Sequence, residues 1–558
     1  MSGRERSFWG WGFEDALPDA SARKGLANMA SAMLGGAELK PREPPRVEDL
    51  ELPAPRIDPP ARIASMCSVG PRDRALHTYG RAYPDLVRGL QGDFQNAPDL
   101  VARPRSESDL RLILDVCADA RIAAIPYGGG TSVVGGVEPS TCDGFRAVVS
   151  IDLGAMNRVV EVDATSRLAR IQAGASGPAL ESQLSKSGLT LRHFPQSFEL
   201  STLGGWIATR AGGHFATLHT HIDDFVASIR AVTAGEVIET LRVPASGAGP
   251  SPDRLLLGSE GALGVITEAW MRVQPKPVYR ASAEVAFTEW ERAVTATREI
   301  AQAGLHPSGC RLLDAREAKL HQVRTDGSHV LLLAFESSDH PLRPWMERAL
   351  AIAKGAGGAL AGEPAYRDGE DDGGRGGAEK AWRKAFLDAP YLASALACAG
   401  VIVDTFETAC TWDRFDALHG EVIRRVREAM KSACGGGIIT SRFTHVYPEG
   451  PAPYYTFVAP ARPGGEVEQW RAIKRAASEA LLASGGTITH HHAVGRTHRP
   501  WYERQAPPAF ADALRAVKRA WDPEGILNPG VLVDPAGSSR ESSELSPGTS
   551  RPPRDSNG

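Results

Sequence analysis

The chain has 558 residues, 42% of them hydrophobic, and 63 basic against 67 acidic side chains leave a formal net charge of −4. That length can bury two or three sizeable cores, and the near balance of charge gives no reason to expect a nucleic-acid partner. Seven scattered cysteines, an odd count with no CxxC pair, argue against a disulfide framework or a zinc site and fit a reducing, cytoplasmic setting.

The N-terminal stretch MSGRERSFWGWGFED lacks the apolar core of a signal peptide. The longest apolar run, Leu392–Val403, is well short of the ~20 residues a membrane span needs. A soluble protein with at most peripheral membrane contact is expected. Residues 1–95 are rich in Pro and Arg, with a helical patch at Asp15–Leu34. Trp9, Trp11 and Phe13 around two glycines read as an aromatic anchor that docks on another domain. From Asp99 the pattern becomes strand, helix, strand. Leu100–Ala102 is short and apolar, Ser106–Ala120 has helical spacing, and Ile122–Ile125 reads as a buried strand.

That strand runs into Pro126–Gly136, PYGGGTSVVGG. Gly128, Gly129 and Gly130 allow positive φ and a close approach of backbone N–H groups, while Thr131 and Ser132 add hydroxyl donors. Such a nest suits a pyrophosphate. No Lys follows, so it is not a Walker loop, and it is not GxGxxG. The alternative is a tight turn that needs glycine and binds nothing. Ala147–Leu153 and Leu168–Ala173 alternate like sheet strands, and Ser176 with Pro178 opens a helix to Lys186.

A second small-residue segment, Phe194–Gly213, offers Gln196, Ser197, Phe198, Glu199, Leu200, Ser201, Thr202, Gly204, Gly205, Thr209, Arg210, Ala211 and Gly212. The third, Gly258–Thr267, carries Glu260, Gly261, Ala262, Leu263, Gly264, Val265 and Ile266. Three such loops in one region point to one large ligand gripped along its length, as FAD would require. After Lys276, Ala283–Phe287, Glu289–Ala303, Val330–Ser337 and Leu342–Gly355 suggest a sheet with helices on one face, acting as a substrate-side cap. Tyr366–Gly377 reads as a mobile loop, either a lid or a solvated excursion. A helical stretch leads from Glu379 to Phe406, Trp412–Ala433 is another helix, and Pro535–Gly558 is a disordered tail.

His490, His491 and His492 form an unusual run. In a strand, 490 and 492 would share one face with 491 opposite, placing two imidazoles toward a cavity and one behind. No acidic or Cys ligand lies nearby in sequence, so no metal is expected. The alternative for one of the three is a satisfied core histidine. Tyr454 and Thr456 share one strand face, with Tyr455 and Phe457 on the other.

The order PYGGGTS, QSFELSTLGGWIATRAGG, GSEGALGVIT resembles the flavin-binding domain of the vanillyl-alcohol oxidase type, and more closely the alkyldihydroxyacetonephosphate (alkylglycerone-phosphate) synthase family. GWGFED, HTYGRAYPDLVRG, CRLLDA, FETACTWDR, RFTHVYPEG, THHHAVG and DPEGILNPGVL extend the resemblance from about residue 8 to 533. It implies an α+β fold: a two-subdomain PCMH-type FAD-binding domain plus an α+β cap domain with an antiparallel sheet. The expected divisions are an N-terminal segment (1–95), the FAD-binding domain (96–277), the cap (278–489), a C-terminal segment completing the active site (490–534) and the tail.

The resemblance also implies roles. Tyr454 would be the active-site phenol with His490, His491 and His492 moving protons. His193 would lie near the flavin and Arg311 would hold the substrate phosphate. An ion pair with Asp314 is the alternative for Arg311. No His or Cys lies in the first glycine loop, so FAD is expected to be non-covalent. The family arginine after Pro-Tyr-Leu is here Ala393, with Arg383 and Lys384 as substitutes. The implied reaction exchanges the acyl chain of acyl-dihydroxyacetone phosphate for a fatty alcohol, on the flavin as covalent platform and with no net electron transfer. The competing reading is a 2-hydroxy-acid dehydrogenase or oxidase of the D-lactate or glycolate type. Expected partners are a lipid-like small-molecule substrate and a possible homodimer.

Overall fold

The computed structural model describes residues 4–140, 142, 144–368 and 389–534. Two main sheets form the first half, with a two-stranded pairing of Leu189–Thr190 and Gln274–Pro275 beside them. The smaller has four strands in the order Cys67–Ser68, Leu100–Ala102, Ala147–Asp152, Ile122–Tyr127, the last three parallel. Helix Glu107–Ala120 packs on it, opened by a capping box in which Asp109 N donates to Ser106 Oγ and Ser106 N to the Asp109 carboxylate. Ala147–Asp152 does not alternate as its sequence suggests. It is covered on both faces and buried throughout except at Asp152, as an inner parallel strand is. Pro126 is tolerated because its strand is the sheet edge.

The second sheet is antiparallel, in the order Val159–Asp163, Leu168–Gln172, Val265–Arg272, Val226–Val232, Val237–Glu239. One apolar core joins both sheets, from Leu100 and Ile122 to Ile229 and Met271.

The second half is built on an eight-stranded antiparallel sheet running from Ala359–Leu360 through Tyr279–Phe287, His329–Ser337, Gly309–Leu313, Ile438–Val446 and Pro451–Pro460 to Val401–Glu407. Ala365–Asp368 pairs with Tyr279–Phe287 beside that path. Helices Trp290–Gln302, Arg343–Gly355 and Trp412–Cys434 cover one face. The long helix shows why: Phe415, Leu418, Val422, Val426 and Met430 recur every three or four residues and are all buried, and Gly435 at φ 78 ends it.

Ala20–Met33 is helical with Asp19 as its cap, a later start than the sequence patch because Glu14–Ala16 forms a separate 3-10 turn before Pro18. The stretch read as helix toward Phe406 is helical over 389–398, but Phe406 lies on the strand Val401–Glu407. Of Tyr366–Gly377, Tyr366 to Asp368 belong to a strand, and 369–377 lie outside the described residues with Glu379, Arg383, Lys384 and the tail.

Phe8, Trp9 and Trp11 are buried among Tyr79, Tyr83, Leu86 and the cap residues Leu418 and Val422. This N-terminal arm clasps both halves: Trp11 N donates to Ser394 Oγ at 2.8 Å, and Arg6 Nη2 to the Gly129 carbonyl at 2.8 Å.

Candidate active site

All three glycine-bearing loops meet at one cavity of about 1030 Å³ between the two halves. Pro126 through Ser132 line it from the first loop. The second contributes Gln196, Ser197, Ser201, Thr202, Gly204, Gly205, Thr209, Ala211 and Gly212, and the third Glu260, Gly261, Gly264, Val265 and Ile266. Of the first glycines only Gly130 has positive φ, at 63. Gly128 and Gly129 are required by proximity instead. A Cβ on Gly129 would lie 2.0 Å from the Leu200 carbonyl oxygen, and one on Gly128 2.3 Å from Thr202 Oγ1. The first and second loops therefore touch backbone to backbone. Asn528 locks the first to the third, donating to the Gly136 carbonyl at 2.9 Å and the Glu260 carbonyl at 2.7 Å.

Six residues expected at the cofactor do not line this wall. Phe198 packs on Phe194 and Trp206, Glu199 accepts from Tyr391 Oη, and Leu200 sits in the apolar core. Arg210 pairs with Asp223 at 2.8 Å, while Ala262 and Leu263 join a small cluster with Val494 and Val531. Each has the local sequence of a loop residue but a side chain turned away from the cavity.

The opposite wall comes from the eight-stranded sheet and the histidine run. Tyr454 and Thr456 face the cavity, and Tyr455 and Phe457 face the core, as their alternation predicts. The Tyr454 hydroxyl donates to Thr405 Oγ1 at 2.9 Å, and the Arg442 guanidinium lies 3.9 Å from its ring centroid. Burial raises the phenol's pKa, keeping it protonated. Arg442 is ion-paired to Glu317, which is 0% exposed and also accepts from Thr440 Oγ1. Burial works against the Glu317 charge, but Arg442, His321 and Thr440 outweigh it and hold the carboxyl at about 2.

The histidine run is not a strand. It is a bend in which the backbone N–H groups of His490, His491 (3.1 Å) and His492 (2.8 Å) all donate to the carboxylate of Glu407. Thr489 Oγ1 adds a fourth donor at 2.7 Å. His491 and His492 consequently line the cavity and His490 packs behind, with its Nε2 2.8 Å from Tyr447 Oη. Two imidazoles forward and one behind was expected, with 491 the one behind. Burial pushes His491 to about 3 and His492 to about 4, so both are neutral bases. Burial pushes the Glu407 carboxyl up, but the charge that His491, His492 and His490 carry when protonated, with the Thr489 bond, holds it well below its ordinary range. An ionised carboxylate thus sits directly under two neutral imidazoles.

Two model matches bear on what this site belongs to. Residues 98–242 match the FAD binding domain family, and 276–532 the C-terminal domain of FAD linked oxidases. The chain is 31% identical over 487 residues to an alkyldihydroxyacetonephosphate synthase of Dictyostelium discoideum, covering 82% of this chain and 77% of that protein. A Trypanosoma brucei brucei synthase is 30% identical, covering 84% and 78%. A solved alkyldihydroxyacetonephosphate synthase superposes with a TM-score of 0.78 at 25% identity, over 94% of this chain and 98% of that one.

The chain belongs to the alkyldihydroxyacetonephosphate synthase family.

Family membership makes FAD the cofactor, and the cavity fits it. Residues of all three loops line one continuous wall of it, and the buried Thr202 hydroxyl has no partner among the described residues, as a group facing a ligand would. The fold is the PCMH-type FAD-binding domain with its antiparallel cap.

Two residues carried over from the family do not reach the cavity. His193 is 1% exposed, packed on Trp206 and Phe225, and burial pushes it to about 3. Arg311 donates to the His214 carbonyl and does not line the wall, while Asp314 caps the next helix and accepts from Ser441 N. Ala393 does line the wall. The guanidinium that sits against Tyr454 is Arg442. Its motif RFTHVYPEG was visible in the sequence, but its partner Glu317 lies 125 residues away. Glu407 was equally hidden in FETACTWDR, 83 residues before His490.

Proposed function

We propose that this chain exchanges the acyl chain of acyl-dihydroxyacetone phosphate for a fatty alcohol, releasing a fatty acid and forming an ether-linked product. The observation that carries the reading is a single cavity joining the cofactor loops to Tyr454, His491 and His492 and continuing to an apolar wall of Met29, Met33, Leu392, Leu396 and Val458. A long alkyl chain needs such a wall, and a small 2-hydroxy acid does not.

FAD would be held by the three loops, and when bound it would supply an electrophilic ring system for an exchange with no net electron transfer. The fatty alcohol must lose its hydroxyl proton, and this reading assigns it to neutral His491 or His492, which line the cavity. Glu407 then stabilises the imidazolium from beneath. Tyr454 holds its proton at Oη, oriented by Thr405, and serves the oxygen that gains or loses charge as the acyl chain leaves as a carboxylate. Arg442, balanced by Glu317, is assigned the substrate anion in place of Ala393 and Arg311. The test is product analysis with Arg442→Lys. It should raise the KM for the phosphate substrate far more than that for the fatty alcohol. Equal effects on both would reject the assignment.

A further inference from the structure

Among the described residues, one ring nitrogen from each of His445, His490 and His491 lies within 4.8 Å of the other two. The sequence run alone supplies two of these groups. The third comes from the strand Ile438–Val446, and the fold delivers it to the same point. His445 is 1% exposed, and its Nε2 meets the Gly213 carbonyl at 3.1 Å. A carbonyl can only accept, so Nε2 carries the proton and Nδ1 carries a free lone pair. That Nδ1 is buried and has no hydrogen-bond partner among the described residues. An orphaned buried acceptor of this kind calls for a ligand.

The other two ring nitrogens share one hydrogen bond, whose proton leaves when both ligate a cation. His490 Nδ1 and His491 Nδ1 face each other at 3.1 Å, near the roughly 3.3 Å that separates two nitrogens bound tetrahedrally to one zinc ion. His490 Nε2 is held by Tyr447 Oη at 2.8 Å, and Tyr447 Oη by Thr220 Oγ1 at 2.9 Å. Outer hydrogen bonds of this sort fix ring orientation in metal sites. His445 and His491 both line the cavity, which leaves a coordination position open toward it.

We propose that His445, His490 and His491 form a three-nitrogen site for a zinc-class divalent cation, with its fourth position facing the cavity. Imidazole donors with no carboxylate or thiolate in the set favour zinc over magnesium or calcium. Occupancy withdraws His491 from proton transfer, so the ion is an inhibitor of the exchange. That second statement rests on the function proposed above; the binding does not.

The test uses the full-length, FAD-loaded protein without a histidine tag. Zinc titration followed by calorimetry should show one saturable equivalent per chain, and cobalt should give visible d–d bands to the red of the flavin. His445→Ala and His445→Gln, each checked for retained flavin, should both lose the saturable equivalent. His340→Ala, on the exposed surface, should keep it. No saturable zinc binding in the wild type, or unchanged binding in both His445 variants, overturns the site. Bound zinc that leaves ether-product formation unchanged overturns the inhibition while leaving the site intact.

Discussion

Glu317→Gln isolates the charge that supports Arg442 beneath Tyr454. The side chain keeps its shape and its contact with Thr440, but the buried Arg442 loses the charge of the carboxylate it is ion-paired to. Breaking a buried pair in this way costs ~3–5 kcal/mol. The ionisation of Glu317 gives a second figure to set beside it. The Glu317 carboxyl stands at about 2 in the folded chain against an ordinary 4.5. That difference corresponds to roughly 3 kcal/mol of stability. Because the folded pKa is depressed, this contribution is complete above 4.5 and is lost as pH falls from there toward 2. The gap between wild type and variant should therefore be roughly 3 kcal/mol at pH 7 and roughly 2 kcal/mol at pH 3.5. Urea unfolding of the FAD-saturated proteins, followed by tryptophan fluorescence, measures both. A gap below about 1 kcal/mol at pH 7, or one that does not narrow in acid, would refute the reasoning.

Gly129→Val would drive a Cβ into the Leu200 carbonyl, so the variant should purify without flavin; full flavin content would show that the two loops need not touch. Tyr454→Phe preserves the ring against Arg442 and removes the hydroxyl, and a yellow, folded protein slowed ~10²–10⁴-fold is expected in a turnover assay. Glu407→Gln leaves one amide-binding oxygen but no charge under His491 and His492. Turnover should fall with flavin content unchanged, and wild-type turnover would remove Glu407 from the account. Ala393→Arg should leave or lower the KM for the phosphate substrate, and a large loss of activity would mean that the cavity at this position is already filled by substrate.

Much of the fold was legible because its signals are local. The helix from Trp412 shows its buried face every three or four residues, and the strand holding Tyr454 alternates cleanly between cavity and core. The glycine loops were legible for a related reason, since Gly128 and Gly129 mark places where backbones meet, although proximity rather than positive φ is what requires them. The site itself was only half visible. Which histidine faces the cavity depends on Glu407 gathering three backbone amides, a tertiary contact that no periodicity encodes. Arg442 is set by the buried carboxylate of Glu317, on the helix Ala315–Leu320, and Arg6 reaches the Gly129 carbonyl from an arm 123 residues earlier. His193 and Arg311 matched the family motifs, but their side chains end outside the cavity wall.

The most direct measurement mixes the FAD-loaded protein anaerobically with acyl-dihydroxyacetone phosphate and a fatty alcohol, and follows ether product, free fatty acid and the flavin spectrum together. The proposed exchange requires ether product and fatty acid in equal amounts, with the flavin oxidised again when turnover ends. Absence of ether product, with the flavin bleached by D-lactate or glycolate, would contradict it and assign the cavity to hydroxy-acid oxidation.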